Sequence, residues 1–270
     1  DDELAKRRGE MNWVHRITHA LDKDLFELYC QEIIPLKDTD KSGQYFEILL
    51  RLREEDGSFV PPMAFIPAAE RYNMMPVIDK LVIEKALHNL KEVSETHANL
   101  HYSINISGQS ISNPSFVNVV IDTISDTGVN SEQIILEITE TAAIANLTRA
   151  IQFIKTLKGL GCKFALDDFG SGLSSFAYLK NIPVDYLKID GYFVRDIIDD
   201  PTDSAFVESI CQIGNVMGIK TVAEYVENEA ILKKLHDIGV HFAQGYHFGK
   251  PAPLAELKSK LLEKDRHSAA

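Results

Sequence analysis

From Leu25 onward the chain alternates short apolar runs of strand character with longer stretches of helical periodicity, close to eight times in succession. Strands separated by helices imply parallel pairing with helical crossovers, and a count near eight suits a closed barrel better than an open sheet. The expected strands are Leu25–Ile34, Tyr45–Leu52, His101–Ile106, Gln133–Ile138, Lys163–Leu166, Tyr186–Ile189, Ile219–Ala223 and His241–Ala243. The expected helices are Ile78–Glu95, Phe116–Ser125, Leu147–Leu160, a short one near Ser174–Lys180, Ser204–Met217, Glu229–Ile238 and a last one from Leu254 to Leu262. The fold class is therefore α/β, a TIM-like (β/α)8 barrel, for which 270 residues suffice as one domain. A doubly wound sheet is the alternative, but neither G-x-G-x-x-G after the first strand nor G-x-x-x-x-G-K-[ST] is present to support it.

Nearly every strand carries a polar side chain at its end: Glu47 within the second, then Asn105, Glu137, Asp167 with Asp168, Lys188, Glu224 and Gln244. From Asn105 on, they recur at intervals of 20 to 36 residues, the length of a βα unit, so they converge on one barrel mouth. That C-terminal face is where such barrels place their chemistry. Singly, each carboxylate could cap the next helix or pair with an arginine. Together, five or six acids in a partly dry mouth repel one another unless a cation neutralises them. Carboxylate and amide oxygens without thiolate or imidazole select Mg²⁺ or Mn²⁺ over zinc. The adjacent Asp167 and Asp168 suit a two-ion arrangement, and Lys188 would supply a positive donor to the attacking oxygen or to developing charge.

Composition narrows the alternatives. Cys30, Cys162 and Cys211 are odd in number and outside any C-x-x-C pattern, and the nine histidines form no H-E-x-x-H pair, so a disulfide framework and a zinc site are both unsupported. A net charge of −12 argues against binding DNA or RNA polymers, whose affinity rests on clustered Lys and Arg. No apolar run is long enough to span a bilayer, so this stretch is expected to make no membrane contact. Opening at Asp1 without a signal-peptide pattern, it reads as a cytoplasmic fragment, with any membrane anchor lying elsewhere in the full-length protein.

Glu47-Ile48-Leu49-Leu50-Arg51 resembles the E-x-L-x-R signature of the EAL-domain cyclic di-GMP phosphodiesterases. Six further motifs match in order: Asn105-Ile106-Ser107, Leu136-Glu137-Ile138-Thr139-Glu140, Asp167-Asp168-Phe169-Gly170-Ser171-Gly172, Leu187-Lys188-Ile189-Asp190, Ala223-Glu224-Tyr225-Val226-Glu227 and Gln244-Gly245-Tyr246-His247-Phe248. The resemblance runs from about Leu25 to Leu262. It implies a first strand antiparallel to the rest, a first metal on Glu47, Asn105, Glu137 and Asp167, and a second on Asp167, Asp168 and Glu224. It further implies that Lys188 orients the nucleophilic water, that Glu140 braces the loop starting at Asp168, and that Gln31, Arg51, Glu227 and Gln244 contact substrate, with Asp190 in support. Departures are Ile48 for the alanine that names the family, Glu32 for a proline, Leu173 for a tyrosine and Tyr225 for a glycine. None removes a ligand; Leu173 and Tyr225 bear on loop packing and pocket shape.

The implied reaction is hydrolysis of cyclic di-GMP to linear pGpG by a two-metal mechanism in bacterial second-messenger signalling, with Lys188, Glu47 and Glu140 as the residues that rate depends on and Ca²⁺ inhibitory. The alternative is a catalytically weak cyclic di-GMP receptor, although such modules typically lack several of these acids. A Schiff-base lysine is disfavoured because the surrounding carboxylates would keep Lys188 protonated. Residues 1–24 resemble the linker helix from an upstream GGDEF domain and 25–270 the EAL domain. Upstream GGDEF and sensory domains and a homodimer are the partners this implies.

Overall fold

The computed structural model of the chain describes residues 2–40, 43–170 and 176–268. Its strands are β1 (Phe26–Pro35), β2 (Gln44–Arg53), β3 (Phe59–Val60), β4 (Leu100–Asn105), β5 (Ile134–Thr139), β6 (Lys163–Phe169), β7 (Tyr186–Ile189), β8 (Lys220–Ala223), β9 (Phe242–Ala243) and β10 (Ala252–Pro253). From β2 through β4, β5, β6, β7 and β8 to β9 each strand pairs parallel with the next. The circle closes through β1, which is antiparallel to both β2 and β9. The two-residue strands β3 and β10 extend β2 and β1 outside the barrel. The antiparallel first strand has a simple cause: the connection 36–43 is shorter than the dozen or so residues that a parallel crossover needs.

Helices cover the outside. Leu147–Lys158 buries Ala150, Phe153, Ile154 and Leu157, the spacing of one helical face, and starts where Asn146 accepts from the Arg149 N–H. Glu229–Ile238 is capped by Asn228, which accepts from Ile231 N at 3.0 Å, and is stopped by Gly239 in the left-handed region at φ 91°. The helix Pro62–Arg71 is not anticipated by the sequence reading, because its prolines look like breakers. Pro62 sits in the first turn, where its missing N–H costs nothing, and Pro67 leaves unbonded only the carbonyl of exposed Met63. The expected short helix becomes a 3-10 turn at Phe176–Asn181, with Ser174 outside the described residues; the last helix is Leu257–Ser268, after a turn at Leu254–Glu256. The helix Asp2–Asp22 buries Ile17 and Ala20 completely. No helix among the described residues is long and apolar enough to cross a membrane.

The barrel strands are buried on both faces, as parallel strands under helices must be. In β5, Ile134, Leu136 and Ile138 face the helices, whereas Ile135 and Glu137 face inward. Inside, Ile33, Tyr45, Ile135, Ala165, Tyr186, Val222 and Phe242 form a separate apolar floor, with the Tyr45 and Phe242 rings 5.0 Å apart. The pleat then positions the site. Two residues beyond Tyr45, Ile135, Ala165, Tyr186, Val222 and Phe242 come Glu47, Glu137, Asp167, Lys188, Glu224 and Gln244, on the same inward face one layer up.

Candidate active site

Lys188 is 1% exposed, and its ammonium is the centre of the site. Nζ lies 2.7 Å from Glu137 Oε2, 2.9 Å from Glu224 Oε1, 3.2 Å from Asp167 Oδ1 and 3.6 Å from Glu47 Oε1. Burial opposes its charge, but Asp167, Glu137, Glu224 and Glu47 together outweigh that and raise its pKa well above the ordinary lysine value. An amine held so firmly as ammonium is a hydrogen-bond donor, not a nucleophile.

Each carboxylate is held differently. Burial acts to raise Glu47, but Lys188 and the amides of Gln244 and Asn105, which donate to it at 2.6 and 2.9 Å, hold it below its usual value. Burial pushes Glu137 well above the ordinary carboxylate range despite Lys188; the Ser103 hydroxyl donates to its other oxygen. Burial and the repulsion of Asp167 and Glu47 push Glu224 up to about 8, against the pull of Lys188. Asp168, exposed at the mouth and with φ 52°, is raised to about 6 by desolvation and by Asp167 and Asp190.

Asp167, Asp168 and Glu224 each present an oxygen within 4.8 Å of the others, a convergence that fits a cation. Gln244 Oε1 is buried without a hydrogen bond, and Asp167 Oδ1, also buried, has only the Lys188 ammonium at 3.2 Å beside it, which leaves both oxygens with capacity for a ligand. With all five acids ionised, one ammonium leaves four negative charges unbalanced, which two divalent ions would offset. Glu47 and Glu137 do not join that trio: Glu137 turns onto Lys188 and Ser103, and Glu47 accepts from Gln244 and from Asn105 beside Lys188.

The mouth opens into a cleft of about 360 Å³ lined by Gln31, Glu47, Leu49, Arg51, Asp167, Asp168, Glu224, Tyr225, Glu227, Gln244, Gly245, Tyr246 and Pro251. Four of the five expected substrate contacts are there. Gln31 accepts from Gln244 at 3.1 Å and donates to Gly249 O at 3.0 Å; Glu227 is exposed. Arg51 donates to Leu50 O at 2.9 Å, packs 5.6 Å from the Tyr29 ring centre and, among the described residues, makes no ion pair, so its charge is available to an anion. Asp190 is not part of the lining; it caps the helix Gly191–Arg195 by accepting from Tyr192 N at 2.8 Å.

Glu140, 3% exposed, accepts from Gly170 N at 3.0 Å and from the Tyr178 hydroxyl, and so ties together both ends of the loop after β6. Gly170 has φ 98°, a turn that favours glycine, while Ser171, Gly172 and Leu173 lie outside the described residues. Ser103, Tyr225 and Tyr246 are absent from the expected contacts. For Ser103 a signal existed, since it precedes Asn105 by two on the same inward face.

An EAL-domain family model matches residues 14–251. Cyclic di-GMP phosphodiesterase PdeB of Shewanella oneidensis is 43% identical over 255 residues, covering 94% of this chain and 30% of that protein. Cyclic di-GMP phosphodiesterase PdeF of Escherichia coli is 36% identical over 270 residues, 99% of this chain and 35% of that protein. The chain thus spans about a third of the length of these curated relatives. The structure of EAL enzyme Bd1971 in its cAMP- and cyclic-di-GMP-bound form superposes with a TM-score of 0.87 at 30% identity, over 96% of this chain and 69% of that one.

Proposed function

The chain belongs to the EAL-domain family, and from that membership we propose that it hydrolyses one phosphodiester bond of cyclic di-GMP to give linear pGpG. The observation that carries this reading is a single buried ammonium among four carboxylates, with a fifth beside them, at the floor of a cleft that also offers Arg51, Gln31 and Glu227. Arg51 would grip a phosphate or guanine edge through its planar fork, with Gln31, Glu227 and Gln244 orienting the rest of the ligand. Asp167, Asp168 and Glu224 would hold one ion and Glu47, Asn105, Glu137 and Asp167 the other. Bound divalent ions supply charge neutralisation at the phosphoryl group and acidify water.

Lys188 has three N–H donors, now directed at carboxylates. Asp167 and Glu224 also belong to the converging trio, so their engagement by a cation would free a donor for the attacking water. Asp190 would act at one remove, through the turn that follows Lys188. The wider context belongs to the same proposal: a cytoplasmic, homodimeric segment whose helix Asp2–Asp22 leads from GGDEF and sensory domains.

The test is incubation of the purified chain with cyclic di-GMP and each divalent cation, with products separated by chromatography. We expect pGpG with Mg²⁺ or Mn²⁺ and none with Ca²⁺, because the compact oxygen cluster suits the smaller ions. Cyclic di-GMP bound yet intact in Mg²⁺ and Mn²⁺ would establish a receptor instead, and full activity after exhaustive chelation would overturn the metal requirement.

Glu140 offers a separate check. Glu140→Ala removes the acceptor shared by Gly170 N and Tyr178 while leaving every proposed ligand in place. The loop that presents Asp168 should loosen, with a stability loss of about 1 kcal/mol for the two half-buried donors left without their acceptor. Because displaced catalytic groups lose rate steeply, turnover should fall about tenfold or more, with weaker metal affinity. Metal titration and turnover both at the parent's values would show that Glu140 has no bracing role.

A further inference from the structure

Among the described residues four non-glycine positions have positive φ: Asp24, Asn73, Asp168 and Tyr225. Asp and Asn tolerate the left-handed region through their short polar side chains, but an aromatic residue there, at φ 56°, is an outlier. Such strain persists where surrounding structure over-determines it, and it concentrates at ligand sites. Tyr225 directly follows Glu224 and lines the cleft. Its ring lies against the backbone of Gly191 so closely that a Cβ there would come within 2.1 Å of Cδ2. The Arg195 guanidinium sits 5.8 Å from the ring centre. The ring is thus supported by the fold, yet Tyr225 remains 56% exposed on the rim it shares with Tyr246. A fixed, flat, apolar face beside a phosphodiester-type site matches the π-face of a nucleobase, which stacks on aromatic side chains whatever its hydrogen-bonding edge.

We propose that Tyr225 is a stacking platform for one purine base of the ligand and sets binding strength where the family pattern has only a glycine. This rests on the cyclic di-GMP reading of the cleft. A stacking contact is present equally in the ground and transition states, so its loss appears in KM and Kd and not mainly in kcat.

The experiment compares the parent with Tyr225→Phe, Tyr225→Leu and Tyr225→Gly. Cyclic di-GMP binding is measured by calorimetry in Ca²⁺, hydrolysis in Mg²⁺ or Mn²⁺, and folding by melting temperature. Tyr225→Phe keeps the ring and should bind within about twofold of the parent, whereas Leu and Gly should raise Kd and KM about tenfold or more, the worth of one base–aromatic stack. Melting temperatures should not fall, since the ring is largely exposed and Tyr225→Gly relieves the backbone. Values of KM and Kd within about twofold for Leu and Gly would overturn the proposal, as would a Phe variant as weak as Leu, which would assign the contact to the hydroxyl. A parent that binds but does not turn over would overturn the hydrolysis reading alone, and the Kd series would still decide the role of Tyr225.

Discussion

Replacing Lys188 with Met lowers single-turnover hydrolysis of cyclic di-GMP by about two orders of magnitude or more, while binding measured in Ca²⁺ stays near the parent's; contributions of positioned proton donors run to about 10²–10⁴. Methionine keeps the length of the side chain and removes its donors. Since Lys188 is 1% exposed beneath the cleft and is absent from its lining, it has little ground-state contact with ligand to lose. The structure adds a second expected effect. The ammonium is what balances Glu137, Glu224, Asp167 and Glu47, and leaving buried charges uncompensated costs about 3–5 kcal/mol. The metal-free variant should therefore melt lower, and divalent ions should restore its melting temperature by more than they raise the parent's, because they replace missing positive charge. Lost binding with near-normal hydrolysis at saturating ligand would make Lys188 a substrate anchor, and unchanged rate, binding and melting would leave it without a role.

Glu224→Gln should separate activity from stability in opposite directions. Glu224 is one of the three carboxylates whose oxygens converge, so loss of its charge weakens metal binding, and turnover should fall by about two orders of magnitude, as expected when charge stabilisation in the transition state is removed. Its effect on folding has the other sign. Burial first, then Asp167 and Glu47, raise its pKa from 4.5 in the unfolded chain to about 8 in the fold. A raised acid binds its proton more tightly when folded, so its ionisation erodes stability as pH climbs from about 4.5 to 8. A neutral amide cannot lose that proton. At pH 7 the metal-free variant should therefore melt higher than the parent, by about 2–4 °C for each kcal/mol relieved, and the gap should close toward pH 4.5. Scanning calorimetry across that range, beside metal titration and turnover, reads all three quantities. A lower melting temperature at pH 7 would show that the Lys188 contact outweighs burial at this carboxylate.

Both experiments probe the same compromise. Five acids and a lysine above an apolar floor make poor folding energetics while converging oxygens that fit a cation, and stability given up where ligands bind is a general pattern.

The strand–helix alternation, hence the barrel, and the inward rank Glu47, Asn105, Glu137, Asp167, Lys188, Glu224 and Gln244 can be read along the chain. Both are local properties: a strand's two-residue pleat decides which side chains share a face, and strand ends recur with the βα unit. The antiparallel first strand was expected from the family resemblance alone and not from periodicity; its physical reason is the short connection 36–43. Tertiary structure alone decided who touches whom. Gln244 donates to Glu47 across 197 residues and to Gln31 across 213, contacts created by closure of the barrel, which no window of sequence encodes. It alone turned Glu47 and Glu137 onto Lys188 while converging Asp167, Asp168 and Glu224, and made Glu140 a clasp between Gly170 and Tyr178. The helix Pro62–Arg71 and the left-handed Tyr225 run against local preference, and packing against the rest of the fold overrides propensity there.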